Sequence, residues 1–125
     1  MINQQLISPQ HIAVIGASEH ESKPGGKVLF NLLNGGFKGK IYGVNPKQLN
    51  IDGVIAVKNI NDLPTIDLAI LAIPAEYCIQ AVKDLIQKNT KAFIIYSSGF
   101  GEAGEKGKLL ENELVEIITR ANACL

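Results

Sequence analysis

An apolar segment that runs directly into a turn of small residues is the feature that most constrains the fold of this chain. Residues 12–15 are apolar at successive positions, a pattern typical of a strand buried on both faces of a sheet. Gly16, Ala17 and Ser18 follow at once, and Pro24 then opens a helix-like stretch. Together, such a strand, turn and helix start place backbone N–H groups and the positive end of a helix dipole against a phosphate. The sequence therefore predicts an α/β domain whose ligand carries phosphate.

Strand-like and helix-like segments alternate along the rest of the chain. Strands that alternate with helices of about ten to fifteen residues predict a parallel sheet covered on both faces. Because crossover connections are right-handed, the expected architecture is a Rossmann-like, doubly wound parallel sheet. The predicted strands are residues 12–16, 40–44, 52–58, 67–73 and 91–96, and the predicted helices are residues 25–34, 76–88 and 108–122. A glycine-rich loop is predicted over residues 99–107.

Length and charge limit the number of domains and the classes of partner. The 125 residues correspond to one domain. Twelve basic and twelve acidic residues cancel, so no net field draws the chain to nucleic acid or to an anionic membrane. No apolar stretch approaches the ~18 residues of a membrane helix, and the N-terminus lacks the pattern of a signal peptide. Two cysteines without metal-like spacing indicate reduced thiols, so the expected location is the cytoplasm.

The end of the chain carries a further expectation. Only residues 123–125 follow the last predicted helix, at the place where another strand is expected. A helix with no strand after it leaves a sheet edge exposed. We therefore interpret residues 1–125 as one domain of a longer, multidomain protein, with the last strand or strands missing by truncation.

The residues after the second predicted strand separate the possible phosphate ligands. An NAD site normally carries Asp or Glu there, to hold the ribose hydroxyls. This chain has Asn45, Pro46 and Lys47 instead, and a cation in place of a carboxylate suits a phosphorylated ribose. NAD is therefore disfavoured, whereas NADP and coenzyme A both stay open. A purely structural alternative also stays open, in which Lys47 is an ordinary surface lysine and residues 16–18 are only a tight turn.

No set of side chains predicts catalysis or metal binding. His11 and His20 have no partner at useful spacing and are interpreted as solvated loop residues. Cys78 falls in the first turn of a predicted helix, where a thiol pKa can fall, but apolar neighbours favour a packed side chain. We predict no catalytic residue and no metal ligand.

Several motifs in a fixed order resemble the N-terminal CoA-binding domain of NDP-forming acyl-CoA synthetases. The resemblance extends from about residue 8 to residue 122, and the same domain opens the alpha subunit of succinyl-CoA synthetase. It also occurs in protein lysine acetyltransferases that fuse it to an acetyltransferase module. The segments that carry the resemblance are residues 12–18, 35–42, 44–47, 67–70, 73–75 and 98–105.

The resemblance implies coenzyme A as the ligand and twelve contact residues, which follow predicted strands or begin a helix. Those implied to line the phosphates, or to close the loop around them, are Gly16, Ala17, Ser18, Lys23 and Pro24. Lys47 would meet the adenosine 3′-phosphate, with Asn45 and Pro46 as the wall beside it. The remaining four are Pro74 near the adenine side and Tyr96, Ser97 and Ser98 near the pantetheine arm.

The resemblance also bears on activity. In the synthetases, acyl-phosphate chemistry passes through a phosphorylated histidine in a following domain, and neither histidine of this chain lies at that position. We therefore expect this chain to bind CoA as the N-terminal domain of an ADP- or GDP-forming acyl-CoA synthetase, and to be inactive alone. Its expected partners are the downstream ligase and ATP-grasp domains or subunit. The alternatives are a regulatory CoA-binding domain of a protein lysine acetyltransferase, or a stand-alone CoA- or NADP-binding protein.

Overall fold

Five parallel strands form one sheet in the computed structural model, which describes residues 3–47, 49–96 and 104–125. The strand order is β3-β2-β1-β4-β5, so the order reverses between β1 and β4. The strands are β1 His11–Ile15, β2 Lys40–Val44, β3 Val54–Val57, β4 Leu68–Leu71 and β5 Ala92–Ile95. The predicted Rossmann-like parallel sheet is therefore confirmed, and its reversal point is where ligands bind in open sheets of this kind.

Helices cover both faces of the sheet. One face carries α2, and the other carries α3 and α4, which pack against each other. The helices are α1 Gln4–Ile7, α2 Pro24–Asn34, α3 Ala75–Gln87 and α4 Glu105–Arg120, with a 3₁₀ turn at Ile60–Asp62. None of the helices in the described ranges has the length and apolar character needed to cross a membrane.

The central strand β1 divides its side chains between two apolar layers. Ala13 and Ile15 pack in the cluster that contains the buried residues of α3 and α4. Val14 packs with Leu29 of α2 on the opposite face. Successive side chains of a strand point to opposite faces, so a strand between two helical layers must be apolar at every position. This packing explains the unbroken apolar segment in the sequence.

Apart from β2, the observed elements differ from the predicted bounds by one or more residues at their ends, and β4, α3 and α4 illustrate the reasons. β4 ends at Leu71 and α3 begins at Ala75, because Pro74 occupies the N-cap of α3 and the chain turns before it. The helix α4 begins at Glu105 and contains Gly107, which is buried. Glycine is a poor helix former in isolation, and the local pattern therefore favoured a loop where the structure has the first turn of a helix. The predicted loop is therefore too long at its carboxyl end, and its residues 99–103 lie outside the described residues.

The last residues of the sequence run parallel to β5. Cys124 pairs with Ala92 as an isolated bridge. The Cys124 N–H donates to the Lys91 carbonyl and the Phe93 N–H donates to the Cys124 carbonyl, both at 2.8 Å. These bonds lie where the sequence predicts the start of another strand. That the domain continues into a longer protein stays a prediction.

Candidate functional site

The turn after β1 is held between the ends of its two neighbouring strands. The N–H groups of Gly16 and Ala17 both donate to the Val44 carbonyl, at 3.0 and 3.2 Å. Gly16 has φ of 87°, a left-handed conformation that favours glycine. A Cβ atom at this position would also lie 2.5 Å from the Ala72 carbonyl oxygen. Glycine is therefore required here by both conformation and space.

Two glycines in the first turn of α2 let the helix start directly on that turn. A Cβ atom at Gly25 would lie 1.9 Å from the Gly16 carbonyl oxygen, and one at Gly26 would lie 1.8 Å from the His20 carbonyl oxygen. The spacing of these glycines differs from G-x-G-x-x-G because residues 18–23 form a longer loop. The loop returns at Lys23, whose N–H donates to the His20 carbonyl at 3.1 Å. Gly25 thus provides the close helix packing that the third glycine provides in dinucleotide motifs.

The N-terminus of α2 has no side-chain cap. Lys23 is the N-cap residue and makes no capping hydrogen bond, and Pro24 has no N–H to donate. The first N–H groups of a helix have no partner within it and carry a partial positive charge. This end of α2 can therefore receive an anionic group beside the turn after β1.

Asn45 connects the turn after β1 to the ends of β2 and β3. Its Nδ2 donates to the Ala17 carbonyl at 2.7 Å, and its Oδ1 accepts from the Lys47 N–H at 2.8 Å. Its backbone N–H donates to the Val57 carbonyl at 3.1 Å. An amide can donate and accept at once, whereas an ionised aspartate can only accept. The residue that replaces the usual acidic residue therefore also has a structural role, which the sequence did not indicate.

A second connection joins the loop after β1 to the segment between β2 and β3. The Asn50 N–H donates to Oε1 of Glu19 at 2.8 Å. Within the same loop the His20 N–H donates to the Ser18 hydroxyl at 3.1 Å. Sequence reasoning missed Glu19, because nothing in its local pattern indicates a partner 31 residues away.

Two clefts of similar size lie at the carboxyl edge of the sheet. The switch-point cleft, of about 300 Å³, has apolar walls formed by Ile15, Val44, Ile60 and Ile73. Its remaining lining residues are Gly16, Pro46, Lys58, Asn59, Asn61 and Asp84. The outer cleft, of about 310 Å³, lies beside β3 and is lined by Lys47, Leu49, Ala56, Val57 and Lys58. Lys58 borders both clefts, so they are adjacent.

The predicted site residues divide into two groups along this edge. Gly16 and Pro46 line the switch-point cleft and Lys47 lines the outer cleft. The first group lies in or beside the turn after β1, the start of α2 and the end of β2. Its members are Gly16, Ala17, Ser18, Lys23, Pro24, Asn45, Pro46 and Lys47. Pro74 lies beyond β4 as the N-cap of α3. Tyr96 follows β5, is 46% exposed, and donates its N–H to the Leu71 carbonyl. Ser97 and Ser98 lie outside the described residues.

A larger cleft, of about 520 Å³, lies at the opposite edge of the sheet. It is formed by residues 8–11 and 37–40 and contains none of the predicted site residues. At this edge His11 begins β1, and its Nδ1 lies 3.5 Å from Oδ2 of Asp67. The interpretation of His11 as a solvated loop residue is therefore wrong. Its partner, Asp67, directly precedes β4 and lies 56 residues later in the sequence, so no local pattern indicates the pair.

The Asp67 carboxylate joins the starts of β1 and β4. Its Oδ2 accepts from the N–H groups of Gln10 and His11, both at 2.9 Å. Burial by itself raises the pKa of Asp67, but these hydrogen bonds and the His11 imidazole together lower it below its ordinary value. In residues 3–47, 49–96 and 104–125, no three His, Cys, Asp or Glu side chains come close enough to hold a metal ion.

The sequence and the fold were compared with known proteins. The family model described as a CoA-binding domain matches residues 10–125. The chain is 42% identical over 118 residues to ADP-forming acetate–CoA ligase II of Archaeoglobus fulgidus, which covers 91% of this chain and 17% of the ligase. It is 40% identical over 118 residues to the alpha subunit of ADP-forming acetate–CoA ligase I of Pyrococcus furiosus, covering 90% of this chain and 26% of that subunit.

A solved structure has the same architecture. Dinucleotide-forming acetyl-coenzyme A synthetase 1 of Ca. Korarchaeum cryptofilum, in complex with phosphate and ADP, superposes with a TM-score of 0.87 at 34% identity. The match covers 98% of this chain and 26% of that one. The chain thus spans about a quarter or less of the relatives described here. The resemblance found in the sequence is confirmed: the chain belongs to the CoA-binding domain family, and its ligand is coenzyme A.

Proposed function

We propose that coenzyme A binds along the carboxyl edge of the sheet, with its adenine in the switch-point cleft. The apolar walls Ile15, Val44 and Ile73 suit the faces of a purine, and about 300 Å³ is at the lower end of the range for small-molecule sites. The observation that carries the proposal is the position of α2. Because Gly25 lies against Gly16, the uncapped start of α2 presents its N–H groups directly beside the small-residue turn.

The diphosphate of coenzyme A would lie at the turn and the start of α2. Gly16, Ala17 and Ser18 supply a turn with little side-chain bulk, and the Ser18 hydroxyl proton can be donated to a phosphate oxygen. Pro24 starts the helix without needing an N–H partner, and the Lys23 ammonium adds positive charge beside it. These features are typical of anion sites at helix N-termini.

The 3′-phosphoadenosine would extend toward β2 and β3. Asn45 and Pro46 form the wall beside the ribose, and Lys47 supplies a cation for the 3′-phosphate. The pantetheine arm would run in the opposite direction, and Pro74 would lie near the adenine side. The arm would then approach residues 96–98, where Tyr96, Ser97 and Ser98 offer hydroxyl groups. An extended ligand is needed to reach both groups of residues, and coenzyme A is long enough.

The larger protein to which we assign this domain is an ADP- or GDP-forming acyl-CoA synthetase. Its reaction would be acid, CoA and NTP giving acyl-CoA, phosphate and NDP, reversibly. The support comes from relatives that are named ADP-forming acetate–CoA ligases. His11 lies at the amino edge of the sheet, away from the proposed CoA path, and His20 lies in an exposed loop. Ligase and ATP-grasp domains, or a subunit that contains them, would therefore supply the catalytic residues. The expected location of the whole enzyme is the cytoplasm.

Calorimetric titration with four ligands tests the proposed site. We expect CoA to bind more tightly than 3′-dephospho-CoA, and NAD and NADP to bind more weakly than either. Replacing Lys47 by Ala removes a charge-assisted contact worth about 1.5–3 kcal/mol when poorly solvated, and less at an exposed position. Equal affinity of the wild-type chain for CoA and dephospho-CoA would contradict the role of Lys47. Tighter binding of NADP than of CoA would contradict the whole assignment.

A further inference from the structure

The outer cleft is bordered by two cations and by no acidic side chain. Its lining residues are Lys47, Leu49, Ala56, Val57 and Lys58. Lys58 was not among the residues that the sequence indicated, because nothing around it resembles a binding motif. Lys58 directly follows the edge strand β3, and it comes near Lys47 only because β3 pairs with β2.

The pairing of β2 and β3 brings the two lysines to one place. The strands are parallel and adjacent, with Val44 opposite Val57 at their carboxyl ends. Lys58 is the next residue after Val57. The Asn45 side chain accepts the Lys47 N–H, which turns the chain beyond β2, and the Asn45 N–H donates to the Val57 carbonyl. The backbone on both sides of the cleft is therefore held in position.

Neither lysine is neutralised by a neighbour. Within the described ranges, no carboxylate oxygen lies within 4.0 Å of the ammonium of Lys47 or Lys58. Asp84 borders the switch-point cleft together with Lys58, but the two do not form an ion pair. Two uncompensated cations on one small cleft favour an anion of high charge.

We propose that Lys58 and Lys47 together form a phosphomonoester site in the outer cleft, and that Lys58 determines the preference for a ligand with a 3′-phosphate. The proposal rests on the proposed function, which places the adenine in the adjacent switch-point cleft. A phosphomonoester carries a charge of about −1.5 to −2 at pH 7, which matches two ammonium groups. Because Lys58 borders both clefts, a ribose between them brings its 3′-phosphate within reach of both lysines.

Affinities for CoA and 3′-dephospho-CoA in matched variants test this inference. In Lys58→Gln we expect the affinity for CoA to fall about tenfold, as for one charge-assisted contact near solvent, and the affinity for dephospho-CoA to stay within about twofold. Lys58→Arg keeps the charge and should retain most of the preference. Lys38→Gln, an exposed lysine at the opposite edge of the sheet, is the control and should change neither affinity.

Three outcomes would overturn the proposal. An unchanged ratio of the two affinities in Lys58→Gln would show that Lys58 does not contact the 3′-phosphate. An equal loss for both ligands would place Lys58 on a part that they share. Binding of neither ligand by the wild-type chain would remove the proposed function and this site together. The first two outcomes leave CoA binding intact, so the two failures can be distinguished. Thermal unfolding of each variant checks that the fold is unchanged.

Discussion

At the scale of single residues, Asn45 has the most demanding position in the candidate site. It donates to the Ala17 carbonyl and accepts the Lys47 N–H with the two ends of one amide group. A carboxylate is nearly the same size but would place a negative oxygen against the Ala17 carbonyl oxygen. The chemical identity of this side chain, rather than its size, therefore keeps the two loops together.

Replacing Asn45 by Asp should destabilise the protein by about 1–3 kcal/mol at pH 7, because a half-buried donor is lost and two acceptors face each other. The free energy of unfolding in urea measures the change. Asn112→Asp, on the exposed side of α4, is the control and should change stability by less than about 0.5 kcal/mol. Equal effects of the two substitutions would show that the Asn45 amide does not connect the loops.

The Asp67 carboxylate should contribute stability that depends on pH. Its pKa is lowered in the folded protein, so its contribution is present above the unfolded pKa, about 3.9 for an aspartate. The contribution is lost as pH falls through the lowered folded pKa. Because the side chain is partly exposed, we expect Asp67→Asn to cost only about 1 kcal/mol at pH 7.

Urea unfolding of the wild-type protein and Asp67→Asn between pH 7 and pH 3 checks this prediction. The difference in unfolding free energy should be constant down to about pH 4 and should narrow below it. A difference that stays constant down to pH 3 would mean that ionisation of Asp67 does not stabilise the joined starts of β1 and β4.

At the scale of elements, the contact between α2 and the turn after β1 gives the site its shape. A helix start can lie this close to a turn only where both backbones lack side chains, and Gly16 and Gly25 meet this condition. The loop between them is longer than in dinucleotide motifs, and its His20 lies against Gly26 of the same helix start. The spacing of the glycines is therefore less important than their positions in space.

Gly25→Ala should destabilise the protein by about 2 kcal/mol or more, because the new methyl group overlaps the Gly16 carbonyl oxygen. It should also weaken CoA binding at least tenfold, because the helix start moves off the turn. Lys27→Ala in the same helix is exposed and should leave the unfolding free energy within about 0.5 kcal/mol. Thermal or urea unfolding and calorimetry measure the two effects. Wild-type stability in Gly25→Ala would contradict the close contact.

The bounds of the elements were predicted most accurately where one local signal dominates. The predicted bounds of β2 equal the observed Lys40–Val44, since Asn45-Pro46 ends the strand. α4 begins three residues before its predicted start, and its first turn contains the buried Gly107 although glycine by itself favours loops. Local preference is a weak effect that burial overrides. Sequence patterns therefore predict which elements exist better than where they begin.

At the scale of the whole molecule, the cleft of about 520 Å³ and the proposed site lie at opposite edges of the sheet. The amino-edge cleft is lined by residues 8–11 and 37–40, whereas the turn, the start of α2 and the two smaller clefts share the carboxyl edge. Size alone would favour the amino edge. The direction of parallel strands, which brings loops and helix starts to one edge, favours the other.

Chemical-shift mapping of the amide groups during titration with CoA distinguishes the two edges. We expect the largest changes at residues 16–27, 44–47 and 57–61, and changes near zero at residues 8–11 and 37–40. Such a pattern would support ligand contact with the turn and both smaller clefts. Saturable changes confined to the amino edge would contradict the proposed site. Inorganic phosphate is a useful second probe, because it should move only part of the carboxyl-edge set.

The sequence by itself determined the class of fold and indicated a region for the candidate site. Unbroken apolar segments, small-residue turns and helical spacing are local patterns, and burial on both faces of a sheet requires them. Most of the candidate site residues could be predicted from these patterns, because they directly follow strands. The replacement of an acidic residue by Asn45-Pro46-Lys47 likewise indicated a ligand with a phosphorylated ribose.

Only the tertiary structure decided which distant residues meet. Lys58 joins Lys47 because β3 pairs with β2, and His11 meets Asp67 because β4 lies beside β1. Gly25 lies on Gly16 although eight residues separate them. These contacts depend on strand order and on the path of loops, which no local pattern contains. Their physical cause is the packing of the whole sheet and its helices. This packing places two clefts beside the turn that the sequence predicted to bind phosphate.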